Sequence, residues 1–518
     1  MSPPQPHKAL ITLAVMIPTL IEILDTSVAN VSLKHIQGSL AAGQEEVTWV
    51  LTSYLVANAI VIPMSGWLAR VMGRKRYLLI SLVVFTISSG LCGAATSLNE
   101  IILFRIVQGM GGGALQPMSQ AILLETYPPN QRGLAMGIFG MGIVVGPILG
   151  PLVGGYLTDN YSWRWIFYIN VPFCALALYM ITSFVFDPPF QERREKGEKV
   201  DYIGLMLLAI GLGSLQIVLD KGELKDWFSS NQIVILTAVA IVALTALVIW
   251  ELYCERPIVD LRIFNDRSFA TANIVMFLAF FAFFGSIVLL PLFLQTLMGY
   301  TAYLAGWVLG PGGAIAFVML PFVGKMTERI DARILLAVGL LINAYSLHYM
   351  SGFNLQINIE TATYSRVIQG IGMPFIFVPC SFLAMAYVPK EKLNNASAIF
   401  NLLRNLGSSF GVAFVSTLLD RRAQFHQARL TENFYPSSPG FSYRLDQLQS
   451  LLQEKLGSFS DLNSLAQGYL YKVLNQQTLL MAYCDVFYAL AVIFVLLVAI
   501  VWVIRKPPVG RKFEMPIE

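Results

Sequence analysis

Arg105-Ile-Val-Gln-Gly109 and Arg366-Val-Ile-Gln-Gly370 stand 261 residues apart in a chain of 518. Both lie in apolar surroundings, so each places an arginine where a charge is costly. Two further landmarks keep nearly the same interval. Gly66, before the basic run 70–76, is matched 258 residues on by Gly324, before 325–333. Tyr127-Pro128-Pro129 is matched 260 residues on by Tyr387-Val388-Pro389. A shared offset at three landmarks indicates an internal duplication. It predicts six helices, two inserted helices, then six more.

Composition sets the solvent. Hydrophobic residues make up 56% of the chain and charged residues 13%, against about 25% charged in a soluble domain. Mean hydropathy is +0.64. These values exclude a soluble globular protein and a disordered chain. The expected class is an all-α polytopic membrane protein. Stretches long enough to span a bilayer fall near 9–31, 47–69, 77–97, 99–122, 133–157, 165–186, 202–220, 232–252, 268–292, 302–323, 333–352, 362–387, 395–418 and 478–504. With the N-terminus inside, cytoplasmic segments hold 22 Lys and Arg and the short outer loops four. That bias supports an even number of spans with both termini cytoplasmic, in keeping with the fourteen stretches. The expected units are an N-terminal bundle at 1–190, a linker with the inserted pair at 191–260, and a C-terminal bundle at 261–518. The first span is long for a signal peptide and carries Glu22 and Asp25.

Charges inside the spans mark the expected chemistry. Asp25 lies about 24 Å from the inner face and Arg105 about 10 Å below the outer one, at 1.5 Å per residue. The depths sum to about the bilayer thickness of 30 Å, so the two pair if their helices are neighbours. Burial disfavours a charged carboxyl and a nearby arginine favours it. Opening to either side alternates these influences, which suits Asp25 to taking and releasing a coupling proton. The plain alternative is a static ion pair. Glu22 lies one turn away on the same face. It is expected to share the proton-coupling site with Asp25 and Arg105, against an alternative of idle exposure to a vestibule. Expected substrate-cavity residues are Tyr54, Asn58, Gln108, Gln116, Met136, Phe139, Asn401 and Arg404. Asp485 is a candidate partner for Arg404. Arg366, near a helix end, is expected to reach outer water.

Glycine runs are read as packing features. Gly109 and Gly113 have the GxxxG spacing that lets helices approach. No Lys-Ser/Thr follows, which excludes a nucleotide loop. The five cysteines and four histidines are scattered, with no metal-ligand spacing. No metal or cofactor is expected, only a proton gradient. An enzyme would need a catalytic cluster that the sequence lacks.

At this point the motifs resemble a known family. Gly66-Trp-Leu-Ala-Arg-Val-Met-Gly73-Arg74-Lys-Arg76 looks like the loop signature of the major facilitator superfamily, implying a gate at Gly66, Gly73 and Arg74. The Arg105 segment resembles its fourth-helix signature. Gly142-Ile-Val-Val-Gly146-Pro147-Ile-Leu-Gly150-Pro151-Leu-Val-Gly154-Gly155 resembles the fifth-helix antiporter motif, which implies packing and kinking and favours export. Leu24-Asp25-Thr-Ser-Val-Ala-Asn30-Val and Trp163-Arg-Trp-Ile-Phe-Tyr-Ile-Asn170-Val-Pro172 are similar to the fourteen-helix drug:proton antiporters, the EmrB-type permeases. One position departs: Arg70 stands where the loop signature has an acid, which Glu328 supplies in the second copy.

The resemblance implies proton-coupled efflux of amphipathic or hydrophobic drugs across the inner membrane. Alternatives are a dedicated exporter of a lipid, fatty acid or siderophore, and a nutrient importer. It also implies a periplasmic membrane-fusion adaptor and an outer-membrane channel as partners. Residues 420–477 form the long outer loop. Leu445, Leu448, Leu452 and Leu456 recur there at helical spacing, predicting an amphipathic helix, and Pro436-Ser-Ser-Pro439 is read as a break. The inner segment 187–201 is read as a solvated connection.

Overall fold

The structure is a computed structural model describing residues 8–187, 201–255, 257–432, 439–456 and 461–506. Among the described residues there are helices and no strands. The N-terminal helices are α1 (Lys8–Val31), α2 (Trp49–Met72), α3 (Arg74–Ala94), α4 (Leu98–Gly112), α5 (Leu115–Thr126), α6 (Arg132–Asn160) and α7 (Asn170–Phe184). An inserted pair follows, α8 (Tyr202–Lys221) and α9 (Asn231–Tyr253). The C-terminal helices are α10 (Arg267–Thr296), α11 (Ala302–Met326), α12 (Ala332–Ser351), α13 (Ile359–Met385), α14 (Leu393–Thr431), α15 (Pro439–Leu456) and α16 (Leu462–Val501).

Twelve helices among the described residues are long and apolar enough to cross a membrane. The two remaining expected stretches are also helical. The fifth is α6, 29 residues long. The fourth, expected as one helix over 99–122, is broken at Gly113-Ala114 into α4 and α5. Pro117 explains the break, since it has no N–H to offer the Gly113 carbonyl. Helix starts are capped by side chains where the chain leaves a loop. Ser97, Asp266, Thr301 and Asn358 accept from backbone N–H groups at the starts of α4, α10, α11 and α13. These caps satisfy donors that have no partner inside the helix.

The duplication is visible in the packing. In the N-terminal half α1 packs on α6 and α2 on α4; in the C-terminal half α10 packs on α14 and α11 on α13. Between halves, α2 meets α14 and α11 meets α6. Large apolar side chains such as Ile87, Leu103, Val242 and Leu496 are exposed on the outside, the surface a helix offers to lipid.

Three further expectations change. The outer segment 420–477 is a helical extension where it is described: α14 runs to Thr431, α15 spans Pro439–Leu456 and α16 starts at Leu462. Within α15, Leu445, Leu448 and Leu452 are half-buried beside exposed Asp446, Gln453 and Glu454, as an amphipathic helix requires. Pro436-Ser-Ser within the expected break, and most of the inner connection 187–201, lie outside the described residues. Asp485 does not pair with Arg404. Arg422 Nε donates to Asp485 Oδ2 at 2.6 Å, and His426 Nε2 lies 2.7 Å from the same oxygen. The upward extension of α14 supplies both groups, which a helix ending at 418 would not. Arg366 is buried rather than reaching outer water, because its side chain lies along its own helix toward Gln369.

Candidate functional site

Two buried carboxylates one turn apart on α1 organise the site. Asp25 is 2% exposed and Glu22 is 4% exposed, so each needs partners from the protein.

Asp25 draws donors from α4 and α7. Arg105 Nη1 donates to Asp25 Oδ2 at 2.5 Å. Gln108 Nε2 and Asn170 Nδ2 donate to Asp25 Oδ1 at 3.0 and 2.7 Å. The arginine is itself fixed. Its Nη1 also donates to Gln108 Oε1 at 2.9 Å and its Nε to the Val50 carbonyl at 3.0 Å. The rings of Tyr54 and Phe167 lie 4.2 and 5.6 Å from the guanidinium carbon. Arg105 Nη2 is buried without a hydrogen-bond partner. The centre therefore holds one ion pair, charge-balanced in itself and sealed from water.

Glu22 faces the middle of the molecule. Tyr54 Oη and Asn58 Nδ2 donate to Glu22 Oε1, each at 3.1 Å. Gln116 Nε2 donates to Glu22 Oε2, and Gln116 Oε1 accepts from Arg404 Nη2 of the opposite half. Gln116 thus connects a carboxylate of one half to a guanidinium of the other. A second polar contact lies beside it: Asn401 Nδ2 donates to Gln120 Oε1 at 2.5 Å. Arg404 also donates to Asn405 Oδ1 at 3.2 Å, and its Nη1 is buried without a partner.

The other expected cavity residues divide. Met136 is buried and its sulfur accepts from Gln120 Nε2 at 3.5 Å. Phe139 is buried and stacks on Phe377 of the opposite half at 6.3 Å between centroids. Gln108 belongs with Asp25, deep inside the N-terminal half, whereas Gln116 reaches the contact between halves. Sequence reasoning missed Asn170, Gln120 and Ser89. Asn170 was within a quoted motif but had no role assigned; its amide also donates to Ser89 Oγ at 3.0 Å. Gln120 lies one turn beyond Gln116 on α5, but that spacing alone assigned it no partner. Ser89 carried no signal.

The antiporter motif is a helix seam. A Cβ placed on Gly146, Gly150 or Gly154 would meet Ile23, Ser27 or Val28 of α1. Gly155 meets nothing within 4 Å. The side chains of Pro147 and Pro151 lie outside the described residues.

The loop residues work at the other end of the same helices. Gly73 has φ +88°, a conformation glycine adopts without strain. It separates α2 from α3 and starts α3 at Arg74, which pairs with Glu125 at the end of α5. The Lys75 N–H donates to Asp187 Oδ1 at 2.8 Å. A Cβ on Gly66 would lie 2.9 Å from Asn395 Cα in the opposite half. The second copy repeats this: one on Gly324 would lie 2.9 Å from Leu134 Cα. The two halves therefore meet backbone to backbone at the end where both described termini lie, with Lys8 beside Gln131 and Lys506 beside Tyr387. Toward the opposite end of α11, Gly306 and Gly310 meet nothing within 4 Å.

A duplicated bundle with buried charges at its centre, and halves that meet at one end, is the architecture of a secondary transporter. The sequence signature of the Major Facilitator Superfamily matches residues 15–413, and the chain belongs to that family. The chain is 37% identical over 502 residues to the multidrug export protein EmrB of Escherichia coli K12, covering 97% of this chain and 96% of that one. It is 35% identical over 500 residues to the fatty acid resistance protein FarB of Neisseria gonorrhoeae, covering 96% of each. A solved structure of the proton:xylose symporter XylE shares the fold, with TM-score 0.60 and 16% identity over 96% of this chain and 95% of that one. Within the superfamily the chain falls with the EmrB-type multidrug efflux permeases. It is a multi-pass inner-membrane efflux transporter of small molecules and not an enzyme.

Proposed function

We propose that the protein is a drug:proton antiporter that exports amphipathic and hydrophobic compounds in exchange for protons. The observation carrying this reading is Asp25, a carboxylate sealed in the N-terminal half and held by Arg105, Gln108 and Asn170. A change in access that wets the site or moves Arg105 away from the carboxylate would let Asp25 load or release the coupling proton. One proton moving through 100 mV supplies about 2.3 kcal/mol, which supports a modest drug gradient without ATP.

Glu22 is the second carboxyl of the cycle. Its link through Gln116 to Arg404 makes the contact between halves sensitive to charge at Glu22. Tyr54, Asn58, Gln116, Phe139, Asn401 and Arg404 line the path between halves that the substrate takes. With both termini cytoplasmic and fourteen spans, the closed end is cytoplasmic and the conformation faces outward. The units are 1–190, 191–260 and 261–518. The helical extension at 420–477 is then periplasmic and is the surface for a membrane-fusion adaptor leading to an outer-membrane channel. The likeness to a fatty acid resistance protein supports a second reading, export dedicated to fatty acids.

The test uses purified protein in liposomes carrying a pH dye. Added drug is expected to discharge an imposed pH gradient, and Asp25→Asn to abolish the discharge. Full coupling in Asp25→Asn would remove Asp25 from the mechanism. Laurate discharging the gradient faster than it does in protein-free liposomes, while cationic and neutral drugs do not, would support the second reading.

A further inference from the structure

The duplication places a second arginine centre in the C-terminal half, and that centre lacks its acid. The 261-residue offset relating Arg105 to Arg366 and Gln108 to Gln369 relates Asp25 to Ser286. The hydrogen bonds follow the same pattern. Gln108 Nε2 donates to Asp25 Oδ1 at 3.0 Å, and Gln369 Nε2 donates to Ser286 Oγ at 2.7 Å. Each arginine donates to the glutamine three residues on. Each has a phenylalanine ring at similar range, Phe167 at 5.6 Å and Phe283 at 5.5 Å. Arg366 has no carboxylate partner among the described residues, and serine occupies the place of the carboxylate.

A second difference opens the same site. Tyr54 roofs Arg105 at 4.2 Å. The 258-residue offset joining Gly66 to Gly324 on the equivalent helices takes Tyr54 to Gly312. Packing verifies the match: a Cβ on Gly109 would meet the Tyr54 carbonyl, and one on Gly370 would meet the Gly312 carbonyl. The roof over Arg366 is therefore a glycine, against which the Arg366 stem packs. Arg105 is fully enclosed, whereas Arg366 keeps 8% exposure.

We infer that Arg366, with Gln369 and Ser286, binds a monoanion that replaces the missing carboxylate: either a free small anion or the carboxylate head of an amphipathic substrate. A buried guanidinium with no counter-charge is costly inside a bilayer. An anion at Arg366 supplies what Asp25 supplies to Arg105. The Ser286 hydroxyl donates to the Phe283 carbonyl at 2.6 Å and brings no negative charge, and the second N–H of the Gln369 amide, the first being given to Ser286, is a neutral donor beside Arg366. The site is separate from the proton centre, and its occupancy is read at equilibrium without a proton gradient.

Thermal stability of the protein in lipid nanodiscs tests this, with chloride titrated against gluconate at constant ionic strength, and laurate titrated against dodecanol. Wild type is expected to gain stability saturably with chloride, laurate or both. Chloride alone identifies a free anion, and laurate without competition from chloride identifies a substrate head group. Arg366→Gln and Ser286→Asp are each expected to bind the effective anion at least about tenfold more weakly, the loss of one charge-assisted contact. Ser286→Asp restores the charge pattern of the first half, so it retains a folded protein if Arg366→Gln does not. A wild type indifferent to both anions, or a folded Ser286→Asp with wild-type affinity, would overturn the inference.

Discussion

Asp25 and Arg105 are worth more as a pair than as two residues. Removing one partner of a buried ion pair costs about 3–5 kcal/mol, because the survivor stays charged and unpaired. Arg105→Gln is therefore expected to lower the unfolding midpoint sharply. Asp25→Asn combined with Arg105→Gln leaves two neutral side chains among Gln108, Asn170 and Val50, and the midpoint is expected to recover most of the loss. Neither variant is expected to couple transport to protons. Thermal unfolding of the two singles and the double gives the coupling energy directly, and purely additive losses would show that the 2.5 Å contact carries no pairing energy. Gln116→Leu makes a separate case. It leaves Glu22 with Tyr54 and Asn58 but cuts the bridge to Arg404. Transport is expected to fall while the protein stays folded; unchanged transport would deny the bridge a role. The Asp25–Arg105 pairing was legible because depth in a membrane is readable by counting residues. Asn170 and Gln120 were not, since counting fixes height but not the rotation that aims a polar side chain at one neighbour.

At the scale of the element, α6 changes partner along its length. Its early glycines, Gly133 and Gly137, face Leu320 and Gly324 of α11 and Thr327 just beyond its end, in the opposite half. Its later glycines, Gly146, Gly150 and Gly154, face α1 in its own half. The interval of four in the later set holds one face of the helix against α1. Gly150→Leu forces a side chain into Ser27 and is expected to cost about 1–3 kcal/mol, the usual price of overpacking. Gly155→Ala on the same helix meets nothing within 4 Å. It is expected to be neutral or to stabilise by about 0.5–1 kcal/mol, since alanine orders a helix more cheaply than glycine. Comparing the two unfolding midpoints separates a packing seam from a general need for glycine; equal losses would refute the seam. The motif was visible in the sequence, and so was its small-residue character. The break between α4 and α5 was not read, although Pro117 signals it, because the apolar run continues through it. The length of α14 was also hidden. A hydropathy reading ends a helix where charge begins, but Arg421, Arg422 and Gln427 continue it into water as polar helix formers do.

Across the whole molecule, the conformation is set by two symmetry-related backbone contacts at one end, Gly66 with Asn395 and Gly324 with Leu134. The opposite end is tied differently. The tip of the inserted pair reaches both halves, through Thr52 with Asp220 and Lys221 with Thr48 on one side, and Trp227 with Thr417 on the other. Closure by bare backbone leaves no room for a side chain, so bulk at Gly66 should hold the halves apart at that end and favour the alternate state. Ser397 reports on this. It is fully buried, one turn before Asn401 on the helix that Gly66 meets. In a background with the five free cysteines replaced, Ser397→Cys is expected to react slowly with a membrane-impermeant maleimide added from the side of the termini. Adding Gly66→Val is expected to make it react quickly and to stop transport, because a transporter held in one state binds but does not cycle. A Ser397→Cys thiol equally shielded in both backgrounds, with transport intact, would show that Gly66 is not part of the closure. The outcome also bears on the loop signature, in which Arg70 replaces the usual acid. If glycine contact alone holds the closed end, the seal does not need that charge, and Glu125 on α5 is left to anchor Arg74.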